Sequence, residues 1–244
     1  MKGVIVLFAL LVSCIGTTVF AGERWEYSGE KGPQHWGELS SDFSACSSGK
    51  NQSPINLSGF MEGALAPIAF SYSQGGVAIL NNGHTVQVNY QPGSSISVNG
   101  HSFELKQFHF HAPSENHING KSFPMEAHFV HADKSGNLAV IAVMFEEGAQ
   151  NAELEKAWQQ LPMHKGDNNE LKSPTSATAL LPAKKDYYRF NGSLTTPPCS
   201  EGVWWLVMKD SVTASKSQIA KFAKAIHHPN NRPIQPTNAR MIVK

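Results

Sequence analysis

Phe103-Glu104-Leu105-Lys106-Gln107-Phe108-His109-Phe110-His111 is a run in which polar and aromatic side chains alternate. Successive residues of a β-strand point to opposite faces, so Gln107, His109 and His111 share one face while Phe108 and Phe110 fill the other. The two imidazoles then stand about 7 Å apart on one surface, within reach of a single metal ion. A second run, Met125-Glu126-Ala127-His128-Phe129-Val130-His131, aligns Glu126, His128 and Val130 by the same rule. If the two strands are neighbours, His128 is the third ligand. Each run also carries an acceptor two residues ahead of a histidine, Gln107 before His109 and Glu126 before His128. Such a group can hold the ring N–H that a metal-bound imidazole turns away from the ion. Three neutral imidazoles leave the charge of Zn2+ uncompensated and a fourth position open, the arrangement that acidifies bound water.

Working outward, short β-rich runs alternate with turn signals. Asn81-Asn82-Gly83 precedes 85–90, Asn99-Gly100 precedes 102–111, Asn119-Gly120 precedes 125–131 and Ser135-Gly136-Asn137 precedes 138–145. Helical periodicity is confined to about 152–161 and 216–226. The expected fold is mainly β (α+β), a large, mostly antiparallel twisted sheet with a few peripheral helices. No repeat, low-complexity run or linker follows Ala21, so residues 22–244 read as one domain.

The chain has 244 residues, 41% apolar and 16% charged, enough to bury a core and too balanced for disorder. Residues 1–21 have the form of an export signal: Lys2, nine apolar residues from Val4 to Val12, and Val19 and Ala21 before a cleavage point at Gly22. Nine residues are too few to span a bilayer, which needs about 20. The alternative is lipoprotein processing at Leu11-Val12-Ser13-Cys14, with the product anchored through Cys14. Either route places the mature chain in the periplasm or outside the cell. Lys and Arg number 20 against 19 Asp and Glu. Removing Lys2 balances them, so the chain has no electrostatic footprint for nucleic acid or anionic membrane. Cys46 and Cys199 then remain, most simply as one disulfide, with two buried free thiols as the alternative.

Seven of the eleven histidines fall between His84 and His131, which makes metal the chemistry to test. Imidazole-only sites suit zinc or copper. A copper/zinc superoxide dismutase-like site also uses a His-x-His strand; it needs further histidines and a bridging ligand, which His101, His117 and His131 could supply in number.

Trp25-Glu26-Tyr27, Pro33-Gln34-His35-Trp36-Gly37, Asn51-Gln52-Ser53-Pro54-Ile55, Asn81-Asn82-Gly83-His84, the two histidine runs with Pro113-Ser114-Glu115 between them, Leu138-Ala139-Val140, Gly192-Ser193-Leu194-Thr195-Thr196-Pro197-Pro198-Cys199, and Asn230-Asn231-Arg232-Pro233 with Gln235-Pro236 follow one another in order. Together they resemble the α-class carbonic anhydrases, in particular the exported bacterial members, over nearly the whole chain after Ala21. The resemblance implies Zn2+ on His109, His111 and His128, with Gln107, Glu126 and the Asn230 carbonyl behind them. It implies a zinc-bound hydroxide, oriented by Thr195 and Glu115, that attacks CO2 to give bicarbonate and a proton. Val130, Val140, Leu194, Val203 and Trp205 would wall the CO2 pocket, with Thr196 beside it. His84 would carry the proton out, and Tyr27, Asn82 and Gln87 would order the intervening water. Cis peptides at Ser53-Pro54 and Pro197-Pro198 and a Cys46–Cys199 bridge belong to the same pattern. Phe190 stands where some relatives have tyrosine, and Trp204 where many have a smaller residue. The remaining histidines, His228 among them, read as structural or exposed. A reading from a different class is a catalytically idle relative that serves as a binding module; such proteins typically lose a ligand histidine, and all three are present here.

Overall fold

The computed structural model describes residues 24–244, so the expected export signal and Cys14 lie outside the described residues. The strands are β1 (Asn56–Leu57), β2 (Ala69–Ser71), β3 (Gln74–Asn81), β4 (Val86–Tyr90), β5 (Ser95–Val98), β6 (His101–His111), β7 (His117–Ile118), β8 (Met125–Ala132), β9 (Leu138–Glu147), β10 (Asn168–Ser176), β11 (Tyr187–Ser193), β12 (Glu201–Met208) and β13 (Val212–Ala214). Eleven of them form one sheet with the central order β10-β3-β4-β6-β8-β9-β12-β11, while β1 and β7 pair separately. Neighbours in the large sheet are antiparallel except where β9 meets β12 and β13. The Asn-Gly signals fold as read: Asn99 and Gly100 both take positive φ, 51° and 77°, the two-residue turn whose twist suits a hairpin.

Register turns the sequence alternation into a surface. His109 pairs with Gln87 on one side and His128 on the other, and His128 pairs in turn with Ala142. One row away, Val130, Val140 and Trp205 stand side by side on β8, β9 and β12. These residues share one face. The opposite face carries Phe108, Phe110, Phe129, Ile141 and Val143 into the larger core. Helices Ala152–Trp158 and Lys216–Ile226 close over it, with the Trp158 ring 5.0 Å from that of Phe110. Trp204 also faces that side, against Phe103, His101 and the Arg189 guanidinium, so its bulk is kept out of the histidine face.

The first helix stops at Trp158, three residues before the expected end, because Pro162 disfavours helical backbone at Leu161. Its N-terminus is capped by Asn151, and the second helix begins with a capping box between Ser215 and Gln218. Two four-residue helices, Trp36–Leu39 and Ala45–Ser48, are too short to leave a periodic signal.

His131 is fully buried on the far side of β8, with Nε2 2.5 Å from the Tyr72 hydroxyl and Nδ1 3.2 Å from the Ala139 carbonyl. Burial pushes this ring down from 6.5 to about 4. Between those values the unfolded chain binds a proton that the folded chain refuses. The folded state therefore keeps its full stability above pH 6.5 and loses it as pH falls toward 4, by about 3 kcal/mol for this ring. Urea unfolding from pH 7 to 4 should show that slope reduced in His131→Gln, whose amide offers Tyr72 a partner without the titration.

Candidate functional site

β6 and β8 bring His109, His111 and His128 together, with one ring nitrogen from each lying within 4.8 Å of the others. Rings two residues apart on β6 lean toward one another, so the His109 and His111 centroids are 5.1 Å apart rather than a full strand repeat. The outward nitrogens are all held. His109 Nδ1 meets Gln107 Oε1 at 2.8 Å, His111 Nδ1 meets the Asn230 carbonyl at 2.6 Å, and His128 Nε2 meets Glu126 Oε1 at 2.8 Å. Each contact fixes a tautomer that leaves the opposite nitrogen bare. Burial lowers the pKa of all three rings and the neighbouring rings lower those of His109 and His128 further, which keeps them neutral, as metal ligands must be. His111 Nε2 is buried without any partner, an orphan that a cation on the three rings would satisfy. Among the described residues this is the one such group of three; His101, His117 and His131 do not assemble a second.

Behind the rings lies a polar network. Glu126 Oε2 accepts from the backbone N–H groups of Glu115 and Asn116 at 2.7 and 2.8 Å, and Oε1 accepts from Asn116 Nδ2 at 2.7 Å. Glu115 Oε1 accepts from the Arg232 backbone N–H at 2.9 Å, while its Oε2 sits 3.5 Å from His111 Nε2. Burial pushes the Glu115 carboxyl up to about 8; the Arg232 N–H and the Thr195 hydroxyl pull the other way. The Arg232 side chain is itself buried, donating to Gln52 Oε1, the Ser53 carbonyl and the Cys46 carbonyl.

Thr195 stands on a loop tied down on several sides. Ser53 and Ser193 exchange backbone-to-hydroxyl hydrogen bonds, Trp205 Nε1 donates to the Ser193 carbonyl, and Gln52 Nε2 donates to the Cys199 carbonyl. Cys199 is bonded to Cys46, Cα to Cα 5.0 Å, as the cysteine count and the resemblance both anticipate. The Pro197-Pro198 and Ser53-Pro54 peptides are cis, and so is Ala112-Pro113, which nothing in the sequence signals. Gly192 is required by space: a Cβ there would lie 2.2 Å from Ser53 Oγ and 2.8 Å from Trp205.

Val140, Val203 and Trp205 form an apolar cluster with Phe190, Val130 and Leu194 packed against it. The Trp205 ring is 4.9 Å from that of His128, and Phe190 stacks on it at 5.9 Å and 7°, taking an apolar place. A cavity of about 150 Å³ opens over His109 and His111, with Thr196, Gln87, Asn82, Tyr27 and His84 on its walls. Gln87 Nε2 donates to Asn89, and Asn82 Oδ1 accepts from the backbone N–H of His84 and Thr85, fixing the turn. His84 stacks on Trp25, centroids 3.8 Å apart and 12° from parallel. Burial pushes it down to about 4, helped by Lys165 and His228.

Three contributors were not assigned roles from sequence: Arg232, Asn116 and Trp25. Arg232 and Trp25 lie inside quoted motifs, which was the available signal; nothing in the type of either residue says that it is buried or stacked here.

A family model described as eukaryotic-type carbonic anhydrase matches residues 31–244. A carbonic anhydrase of Pectobacterium carotovorum is 49% identical over 243 residues, 100% of both chains. A hyperthermostable carbonic anhydrase from an active hydrothermal vent chimney superposes with TM-score 0.88 at 57% identity, over 90% of this chain and 99% of that one. The α-carbonic anhydrase of Thermovibrio ammonificans in complex with the inhibitor sulfanilamide gives 0.90 at 48% identity, over 91% and 100%.

The disulfide closes a loop of 153 residues, for which chain entropy gives up to about 5 kcal/mol of stabilisation. Cys46→Ser should lower the thermal midpoint and, through the Thr195 loop, the activity together, as read by calorimetry and a CO2 hydration assay.

Proposed function

The chain belongs to the eukaryotic-type, or α, carbonic anhydrases, enzymes of reversible CO2 hydration, and from that membership we propose that it works with Zn2+ held by His109, His111 and His128. The observation that carries this reading is the convergence of three bare ring nitrogens whose partners on the other side are all held. When bound, Zn2+ supplies Lewis acidity that makes hydroxide available as a nucleophile near neutral pH, the part it plays in carbonic anhydrases generally.

The chain's own residues do the positioning. An ionised Glu115 accepts the Thr195 hydroxyl proton, so the Thr195 oxygen must in turn accept from the attacking O–H and aim its lone pair at carbon. A dication on the adjacent imidazoles opposes the burial that pushes Glu115 up, and so favours that ionised form. CO2 carries no charge, and the Val130, Val140, Leu194, Val203 and Trp205 wall with Thr196 at its edge offers an apolar seat. His84 takes the released proton across water ordered by Tyr27, Asn82 and Gln87. In its seat on Trp25 burial and Lys165 disfavour the charged ring, which favours release of the proton and weakens its uptake alike.

The substrates are CO2, water and bicarbonate. Export to the periplasm or cell exterior is supported by the Cys46–Cys199 bond, which persists in oxidising compartments, with residues 1–21 as the signal and lipid attachment at Cys14 as the variant route. No helix of the described residues is long and apolar enough to cross a membrane.

Metal analysis of the purified protein should find about one zinc per chain, as expected of one three-histidine site. His109→Ala, His111→Ala and His128→Ala should each lose most zinc and nearly all CO2 hydration, and His117→Ala neither. Stoichiometric, active zinc in His128→Ala would sink the assignment. His84→Ala should lower kcat at low buffer with kcat/KM nearly unchanged, since the proton leaves after CO2 has been converted, and added imidazole should restore kcat. Equal loss in both parameters would remove His84 from the path.

A further inference from the structure

His84 is a wall shared by two cavities. The inner one reaches His109 and His111; the outer, a depression of about 420 Å³ at the surface, holds His228 and Lys165. Trp25 and Tyr27 are the other walls common to both. A proton that leaves the inner cavity on His84 therefore emerges beside His228. The Tyr27 ring lies between the two, its centroid 6.4 Å from His84 and 5.8 Å from His228. The two segments are tied to each other there: Asn230 Nδ2 donates to the His84 carbonyl at 3.0 Å, which holds the 228–230 segment against the turn that carries His84.

The His228 ring has a carbonyl oxygen against each of its two nitrogens. Nδ1 is 2.9 Å from the Pro229 carbonyl and Nε2 is 3.4 Å from the Gly83 carbonyl. A neutral imidazole has a single N–H and can satisfy one of those oxygens, leaving the other nitrogen lone pair to lone pair. Arrival of a second proton converts that contact into a hydrogen bond. The ring is half-buried and lines the outer depression, from which a buffer molecule can collect the proton. The charged groups around it are Lys165 and Arg24, which oppose accumulation of charge, and Glu26, which offsets them.

We propose that His228 is the outer station of the proton path, taking the proton from His84 at the rim and handing it to buffer. The step is a transfer only: an N–H bond on the His84 imidazolium breaks, an N–H bond on His228 forms, and the same proton then leaves on the buffer base. It rests on the relay role of His84 proposed above and extends it by one residue.

The test is stopped-flow CO2 hydration by the zinc-loaded enzyme at low and high imidazole for the parent, His84→Ala, His228→Ala, His228→Asn and the double variant His84→Ala/His228→Ala. Both His228 variants should lose kcat several-fold at low buffer, keep kcat/KM and recover with imidazole, and the double variant should be no slower than His84→Ala. Asn keeps a donor for the Pro229 carbonyl without the titration, so parental kcat in His228→Asn alone would reduce His228 to a hydrogen bond and overturn the proposal. In parallel, NMR titration of the His84 ring should move upward in His228→Ala, since the neighbouring ring depresses it. A slowed His84→Ala beside an unchanged His228→Ala overturns the outer station alone. Unchanged kcat in His84→Ala overturns the relay reading beneath it, and losses that multiply in the double variant make the two histidines independent and the series arrangement wrong.

Discussion

One carboxylate organises the centre. Glu126 is fully buried and accepts four hydrogen bonds, from the His128 ring, the Asn116 amide and two consecutive backbone N–H groups at 115 and 116. A buried carboxylate left unpaired is costly, and burial does raise its pKa, but four donors offset that and make the arrangement specific. The same group orients the third histidine and sets the backbone from which Glu115 projects toward the bare nitrogens of His111 and His128. Ligand geometry and the group that is proposed to aim the nucleophile are thus two ends of one hydrogen-bonded unit.

The sheet converts that unit into a site by separating its two faces. Aromatic residues between the histidines anchor β6 and β8 in the larger core, and the small Ala142 opposite His128 and the Val-Trp row beside it shape the surface that remains. Few of these positions could move alone, because a slip of one residue in either strand would exchange the histidines for apolar side chains.

What was legible in sequence was local. Alternation in 103–111 and 125–131 gives the three-histidine face, the acceptors at two-residue offsets and the far-face phenylalanines, and Asn-Gly pairs give turns. What resemblance supplied, and periodicity could not, were partners remote in the chain: the Asn230 carbonyl behind His111 and the loop around Thr195. Arg232 escaped both, since an arginine buried by its fold has the same sequence appearance as one on the surface. The end of the first helix was misplaced by three residues because apolar spacing continues to Leu161 while Pro162 forbids the backbone to follow. Trp25 stacking on His84 is likewise a contact between segments some sixty positions apart, invisible to any local pattern.

Those remote partners impose an order in time. The His111 ring waits for a carbonyl 119 positions later, and Glu115 for an N–H 117 positions later, carried by a residue whose guanidinium also closes on Cys46, 186 positions before it. A chain synthesised from its N-terminus presents all three imidazoles well before the residues that lock them. Contacts of such long separation form late, after loop closure has been overcome. β6 and β8 can therefore pair while their histidines are still loose, and the rings become a rigid cage only once the 230–232 segment has docked. Completion of the three-histidine centre is in that sense a late step of folding, and a cation meets the finished cage only after the 230–232 segment has docked.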